Sequence, residues 1–278
     1  MKSVAKLALV VVVCLINFVA PINLGALLKD KDIVALWLFD ENDGKVVRDS
    51  SASRNDGKIV GAKWTAGNFK AALSFLDNAK VDKPGDKGVY VEVPSSNTLN
   101  VAGDQITVQA WVKPQEIHLR DTCLNSIAQK WGDVSGRRQY QLTLCGKAGG
   151  VAWFYVSTDG SNHPRVEGVT PIELNKWTHI SGTYDGKHLK IYVNGVLDAE
   201  VAQNGDLHTS DIYVRLGGYG FDKEQPRNRF FFGDLDEVMI AKKALTPAEI
   251  EQTITGLLAV DPALKVTTTW GRIKNQQQ

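Results

Sequence analysis

The run WTHISGTYDGKHLKIYVNGVLDAEV, residues 177–201, contains three short alternating segments separated by two tight turns. The turns are Asp185-Gly186 and Asn194-Gly195, and such pairs favour hairpins because both turn positions require a positive φ. The run therefore predicts a meander of three antiparallel strands, at 177–184, 188–193 and 196–201.

The rest of the chain repeats this pattern of short strands and turn residues. Segment 33–40 (IVALWLFD) is apolar on both faces and predicts a strand covered on both sides. Segment 106–113 alternates, and we expect the strand to end at Pro114. About a dozen strands without a long helix predict an all-β sandwich or barrel. No internal boundary divides 33–257, so we predict one domain there, followed by a polar C-terminal tail at 258–278.

Segment 233–250 (GDLDEVMIAKKALTPAEI) closes the domain. Its first half predicts a strand with Leu235 and Glu237 on one face. The opposite face would carry Asp236, Val238 and Ile240. The motif TPAE at 246–249 has the residues of a helix start, with a capping box and Pro at the first helical position, and predicts a short helix.

The composition limits the function classes. The chain has 278 residues and a net charge of +1, with acids and bases evenly mixed. It lacks a basic block interleaved with aromatic residues, so we expect no nucleic-acid partner. Lys2 and Lys6 precede an apolar run at 7–20, which predicts a signal peptide at 1–26 and export, secreted or to the cell surface. An uncleaved N-terminal membrane anchor is the alternative.

The number of cysteines is consistent with export. Cys14 lies in the predicted signal, which leaves Cys123 and Cys145 as an even pair in an oxidising compartment. Both lie beside predicted strands, so we expect a disulfide between neighbouring strands. The alternative is two buried free thiols.

Four segments carry a resemblance to a known family. The run 177–199 resembles the central hairpins of LamG-like jelly-roll domains in the concanavalin A-like lectin/glucanase superfamily. Segments 36–41 (LWLFDE), 106–114 (ITVQAWVKP) and 233–249 are similar to further markers of that family, in the same order. Together they span nearly all of the chain after the predicted signal.

The resemblance implies a jelly roll of two antiparallel sheets packed face to face, ending in a short C-terminal helix. It also implies that the first and last strands of the domain are neighbours. Cys123 and Cys145 resemble the disulfide pair often found in this domain.

A structural calcium site is the first candidate for chemistry. If the terminal strands pair, Asp40 lies near Asp236, and the turn at Asn55 can fold over both. Calcium takes six to eight oxygen ligands from carboxylates, amides and backbone carbonyls. We predict Ca²⁺ at Asp40, Asn55 and Asp236, ahead of Asp49 and Asp234. The alternative is that these side chains only accept hydrogen bonds from loop amides.

Glycoside hydrolysis is the second candidate, because the superfamily includes glucanases. Asp234 and Asp236 share a face of a predicted strand, with Cα atoms about 6.6 Å apart. That spacing is compatible with a retaining carboxylate pair. The glucanase pattern Glu-x-Asp-x-Glu is absent, however, so we expect no enzyme.

Ligand binding is the third candidate. Lectin-type sites place aromatic rings beside a few amide and carbonyl groups. The aromatic residues in the polar loops that could serve are Trp131, His163, Tyr219 and Phe221. Packing within the loops is the alternative for each.

These observations predict a secreted, non-catalytic recognition or adhesion module that binds a glycan or an extracellular protein. The alternatives are a carbohydrate-active enzyme on the same scaffold and a structural surface protein without a small ligand.

Overall fold

The computed structural model describes residues 30–80, 88–117, 125–132, 134–146, 149–218 and 229–255. Sixteen strands are present in this part of the chain: β1 Ile33–Trp37, β2 Val46–Val47, β3 Gly57–Val60, β4 Lys63–Ala66, β5 Ala71–Ser74, β6 Tyr90–Val93, β7 Ile106–Glu116, β8 Asn125–Trp131, β9 Arg138–Cys145, β10 Val151–Val156, β11 Arg165–Pro171, β12 Thr178–Tyr184, β13 His188–Val193, β14 Val196–Ala202, β15 Val214–Leu216 and β16 Phe232–Ala241. The helices are α1 at Pro247–Ile254 and two 3-10 turns at Asp30–Asp32 and Leu76–Lys80.

The strands form two antiparallel eight-stranded sheets. The first sheet has the order β14-β13-β12-β7-β16-β5-β4, with β1 also paired to β16. The second has the order β11-β10-β9-β8-β15-β6-β3-β2. The predicted meander is confirmed, because β12, β13 and β14 pair in succession. The molecule is a jelly-roll β-sandwich with a short C-terminal helix, as the sequence predicted.

The core lies between the two sheets and consists of aliphatic and aromatic side chains. Phe154 of the second sheet crosses to β12, where a Cβ built on Gly182 would lie 2.3 Å from its ring. The sheets approach so closely here that only glycine fits opposite this ring.

The terminal strands pair as the resemblance implied, with Trp37 opposite Val238. Strand β1 ends at Trp37, three residues before the predicted end. The chain leaves the strand because Phe39 has a φ of 55°, which a β-ladder does not accommodate. Asp40 therefore lies on the turn beyond the strand.

The predicted alternation of β16 is wrong beyond Asp236. Glu237 has a φ of 48°, and the register to β7 shifts between Asp236 and Met239. This β-bulge inserts one residue, so the side-chain alternation changes phase at that point. Val238 lies in the core with Leu235, not on the face of Asp236.

Strand β7 continues through Pro114 to Glu116, where the sequence predicted its end. Pro114 lies opposite Gly233, beside a second register shift. A bulge is one of the few places where a strand tolerates the missing N–H of proline.

Helix α1 starts as predicted. The side chain of Thr246 accepts from the Glu249 N–H, and the Glu249 carboxylate accepts from the Thr246 N–H. Its Ile250 packs with Leu36, Tyr192 and Met239, so α1 covers the outer face of the first sheet. No helix in the described ranges is long and apolar enough to cross a membrane.

Candidate functional site

A continuous row of polar side chains crosses the outer face of the second sheet. Side chains directly opposite each other in antiparallel strands lie on the same face. Arg215 of β15 is opposite both Glu92 of β6 and Gln129 of β8. Gln129 is opposite Gln141, Gln141 is opposite Tyr155, and Tyr155 is opposite Arg165. We call these six residues the polar row: Glu92, Arg215, Gln129, Gln141, Tyr155 and Arg165.

Aromatic rings flank one half of the polar row. Trp131, Trp153 and Tyr155 belong to one buried cluster on this face. The centroids of Trp131 and Tyr155 are 5.8 Å apart with an edge-to-face orientation, and those of Trp153 and Tyr155 are 6.1 Å apart. These contacts restrict the two side-chain torsions of each ring and so hold its orientation.

Arginines lie over these rings. The Arg165 guanidinium is 4.6 Å from the centroid of Trp153, and that of Arg215 is 4.1 Å from the centroid of Tyr90. Glu167 pairs with Arg165 at 2.6 Å and Glu92 with Arg215 at 3.4 Å. Both ends of the polar row therefore carry a guanidinium held between a ring and a carboxylate.

The middle of the polar row is buried but not saturated with hydrogen bonds. Gln129 and Gln141 are 2 % and 1 % exposed. Gln129 Oε1, Gln141 Nε2 and the neighbouring Trp153 Nε1 have no hydrogen-bond partner. Burial of a polar group without a partner costs about 1–3 kcal/mol, so these atoms require a ligand or ordered water.

Two of the sequence-predicted ligand residues lie at one end of this face. Trp131 ends β8, and the Arg138 guanidinium lies 5.7 Å from its ring centroid. Arg138 Nη1 is also 3.4 Å from His163 Nδ1. The structure thus brings Trp131 and His163 together through Arg138. Tyr219 and Phe221 lie outside the described residues.

A pocket of about 400 Å³ opens at the same end of the second sheet. Its lining residues are Ser135, Gly136, Arg137, Ser210, Asp211, Ile212 and Tyr213. The Tyr213 hydroxyl accepts from Arg215 Nη2 at 2.9 Å, which joins the pocket to the polar row.

Sequence reasoning missed the polar row itself. The sequence predicted ligand residues among the aromatic residues of loops, whereas Gln129, Gln141 and Tyr155 lie within strands. The signal was present in β9 (RQYQLTLC), where polar and apolar residues alternate although the strand is almost wholly buried. Polar side chains on the buried outer face of a strand indicate a site more strongly than aromatic residues in a loop.

The predicted calcium ligands divide between two places. Asp40, Asp236 and Glu237 form the terminal acid cluster where β1 leaves β16. Asp236 Oδ2 accepts the N–H groups of Asn68 and Phe69 at 2.9 and 3.0 Å, and Lys70 Nζ bonds Asp40 at 2.8 Å. Burial raises the pKa of Asp236 to about 6 and that of Glu237 to about 8, and repulsion from Asp40 adds to both shifts.

Asn55 is bound elsewhere. Its Nδ2 donates to Val34 O at 3.1 Å and to Thr98 Oγ1 at 3.0 Å, near the start of β1. The adjacent Asp49 carboxylate accepts the N–H groups of Leu36, Ser51 and Asn55, and the Ser51 hydroxyl, at 2.7–2.9 Å. Asn55 and Asp49 thus organise the loop after β1. Within the described ranges, no group of three or more His, Cys, Asp or Glu side chains could hold a metal ion.

Asp234 and Asp236, the predicted carboxylate pair, have different partners. Asp234 Oδ2 accepts from Lys113 Nζ at 3.2 Å, whereas Asp236 accepts backbone N–H groups. Cys145 is fully buried at the end of β9. Cys123 lies outside the described residues, so its pairing with Cys145 stays a prediction.

The outer face of the first sheet also holds buried polar groups. Trp111 is opposite His179, and Gln109 is opposite Ser181. Gln109 Oε1, Trp111 Nε1, His179 Nδ1 and Ser181 Oγ have no hydrogen-bond partner. Burial lowers the pKa of His179 to about 3, so its imidazole is neutral. Gln109 and Ser181 lie beside Met239 and Tyr192, the residues that pack with α1.

Several solved structures share the fold of this chain. A neighbour in solved structures is domain 4 of a GH43 extracellular arabinanase from Geobacillus stearothermophilus, in complex with arabinotriose. It has a TM-score of 0.56 and 22% identity, over 80% of this chain and 97% of that one. The binding domain of Paraclostridial Mosquitocidal Protein 1 has a TM-score of 0.61 and 14% identity, over 82% of this chain and 53% of that one. At these identities the likeness shows the fold alone.

A curated relative is pappalysin-1 of Mus musculus, 24% identical over 194 residues. The match covers 63% of this chain but only 11% of pappalysin-1, so the chain spans about a tenth of that protein. The sequence model of the Laminin_G_3 family, described as concanavalin A-like lectin/glucanases superfamily, matches residues 85–251. That match covers more than half of the chain and includes β6 to β16, so the chain belongs to the concanavalin A-like lectin/glucanases superfamily.

Proposed function

We propose that this chain is a non-catalytic carbohydrate-binding module and that the polar row is its binding site. One observation carries the proposal: Gln129 and Gln141 are buried side by side on an aromatic face with amide atoms that no protein group satisfies. The arabinanase domain, a structural neighbour with arabinotriose bound, supports a saccharide as the ligand class.

A saccharide fits the chemistry of the polar row. Each amide offers an acceptor oxygen and donor N–H groups, and each sugar hydroxyl both donates and accepts. The indole N–H of Trp153 adds a donor beside the amides. Sites of this kind combine apolar walls with a few convergent polar groups that fix the orientation of the ligand.

The arginines determine which protein groups contact the ligand. Because Arg165 covers Trp153, that ring presents a guanidinium where a bare ring would stack on a sugar face. Hydrogen bonds from guanidinium and amide groups therefore dominate recognition at this end. The partly exposed Arg165–Glu167 and Arg215–Glu92 pairs mark both ends of a site that suits an oligosaccharide longer than one ring.

A glycan array followed by calorimetry tests the proposal. We expect the array to identify an oligosaccharide, and the double variant Gln129→Met/Gln141→Met to bind it at least about tenfold more weakly, since each hydrogen bond contributes about 1 kcal/mol. The matched control is Gln109→Met, a buried glutamine of the first sheet. Equal affinity in the double variant and the wild type would contradict the site, and an empty array would favour a protein partner or a structural role. Release of reducing ends from the bound glycan would favour the alternative, glycoside hydrolysis.

Calcium binding is proposed with a smaller ligand set than the sequence predicted. Asp40 and Asp236 supply the carboxylate oxygens that calcium takes, and the buried Asp40 Oδ1 has no hydrogen-bond partner. Asn55 does not fit, because it lies near the start of β1 and its Oδ1, the atom that would bind calcium, accepts from the Ser96 hydroxyl at 2.7 Å. A melting temperature that rises with millimolar calcium and falls with chelator supports the proposal, provided that Asp40→Asn removes the response. An unchanged melting temperature contradicts it.

We also propose that the chain acts outside the cell, on the basis of the basic and apolar residues at 1–20. Expression of the whole sequence followed by fractionation tests this. The expected result is protein in the medium or on the cell surface, and protein only in the cytosol would contradict it.

A further inference from the structure

A second pocket lies where β1 begins. Its volume is about 310 Å³. The residues that line it are Lys31, Ile33, Val34, Ser53, Asn97, Thr98, Asn100, Val101, Ala102 and Lys242. We call it the lysine pocket. It shares no residue with the polar row, and nothing in the function proposed above depends on it.

The charge of the lysine pocket is positive. Lys31 and Lys242 are its charged lining residues, and no acidic side chain is among the lining. Neither lysine forms a salt bridge with another residue that the structure describes, whereas Lys63, Lys70 and Lys243 each pair with a carboxylate. Two ammonium groups without a salt-bridge partner around one concavity attract an anion.

A backbone hydrogen bond joins the two segments that carry the lysines. The Lys242 N–H donates to Asp32 O at 2.9 Å, which ties the end of β16 to the turn that carries Lys31. Both side chains are exposed and line the pocket. The backbone thus brings both residues to the same pocket, and the Asp32 that links them is not among the lining residues.

The lysine pocket also offers unused neutral groups. Asn100 Oδ1 is buried without a hydrogen-bond partner. Thr98, by contrast, is bound to Asn55 and Ser96. Asn100 Oδ1 can accept from a hydroxyl group, and the two lysines can bind a negative charge. A ligand that carries both groups would therefore match this lining.

We propose that the lysine pocket binds a phosphorylated or sulfated monosaccharide. The tetrahedral oxyanion lies between Lys31 and Lys242, and a ring hydroxyl donates to Asn100 Oδ1. A bare oxyanion is too small, because the volume of the pocket reaches the lower limit for sites that hold small organic ligands, about 300 Å³. Phosphate and sulfate esters share the recognised chemistry, and titration distinguishes them.

The test is calorimetric titration of the full chain with glucose 6-phosphate, glucose 6-sulfate, glucose and inorganic phosphate at low ionic strength. We expect one or both esters to bind at least about tenfold more tightly than glucose or inorganic phosphate, because charge-assisted hydrogen bonds are the stronger ones. The double variant Lys31→Met/Lys242→Met should lose that preference. The matched control, Lys45→Met/Lys187→Met, removes two other exposed lysines and the same total charge.

Two outcomes would overturn the proposal. One is equal affinity for the esters and for glucose. The other is an equal loss of ester binding in the test and control variants, which would mean attraction by net charge alone. Neither outcome bears on the polar row, so failure here is distinguishable from failure of the proposed function.

Discussion

The acidic side chains around β1 and the polar row of the second sheet differ in where their polar atoms find partners. The carboxylates of Asp49 and Asp236 each accept at least two backbone N–H groups from turns or loops. The amides of Gln129 and Gln141 leave atoms without any partner. Carboxylates that hold turns contribute to the fold, whereas buried amides with unused atoms keep the capacity to hydrogen-bond a ligand that reaches them.

The outer face of the first sheet shows that unpaired atoms alone are not sufficient. Gln109, Trp111, His179 and Ser181 also have unpaired polar atoms, but they form a compact block beside the residues that pack with α1. The polar row crosses six strands and reaches partly exposed ion pairs at both ends. The polar row therefore differs from the first-sheet block in two respects: it is continuous across strands, and its end residues are partly exposed. We take these two features as the marks of a binding face.

The largest expected effect is on the acid that organises the loop after β1. Asp49→Ala removes an acceptor of three backbone N–H groups and one hydroxyl, all buried or partly buried. We expect urea denaturation to show a loss of about 4 kcal/mol in the free energy of unfolding. Asp206→Ala, at an exposed aspartate, should change it by less than about 0.5 kcal/mol. If Asp49→Ala lowered the free energy of unfolding by less than about 1 kcal/mol, the view that these acids stabilise the fold, in contrast to the polar row, would be contradicted.

The next effect depends on pH. The pKa of Glu237 is raised from 4.5 to about 8 by burial and by Asp236 and Asp40. The native state therefore binds more protons than the unfolded state between these pH values, and Glu237 destabilises the fold progressively as the pH rises through this window. Glu237→Gln should leave stability unchanged at pH 4 and raise it by on the order of 3 kcal/mol at pH 9. The same difference at both pH values would contradict this account.

A substitution in the polar row should lower glycan affinity without lowering the free energy of unfolding. Methionine matches the size of glutamine without its amide, so Gln129→Met should hold stability constant or raise it by about 1 kcal/mol, because an unpaired buried amide is removed. Glycan affinity should fall in the same variant. A variant that loses stability and affinity together would show that Gln129 supports the fold.

The smallest effect is expected in the polar block of the first sheet. Ser181→Ala removes a buried hydroxyl without a partner, which should raise the free energy of unfolding by about 0.5–1 kcal/mol. Glycan affinity should not change. A fall in affinity would move the binding face from the second sheet to the first, and thermal unfolding with calorimetry measures both quantities.

The sequence predicted the fold well because alternation and turn residues are local signals. The Asp-Gly and Asn-Gly turns fixed the meander, and the motif at 246–249 fixed the start of α1. The bulge at Glu237 was missed, because a positive φ in a strand depends on the tertiary contacts of Asp236 with the turn at Asn68. Trp131 and His163 were predicted individually, but the row of Gln129, Gln141 and Tyr155 exists only through pairing of strands distant in sequence.

The side-chain amide resonances of the glutamines test the central claim most directly. In a titration followed by ¹⁵N–¹H NMR with an oligosaccharide identified on the array, the NH₂ signals of Gln129 and Gln141 should shift in proportion to saturation. The signals of Gln109, on the first sheet, should stay in place. Shifts confined to Gln109, or saturation without any change at Gln129 and Gln141, would contradict the assignment of the polar row as the glycan site.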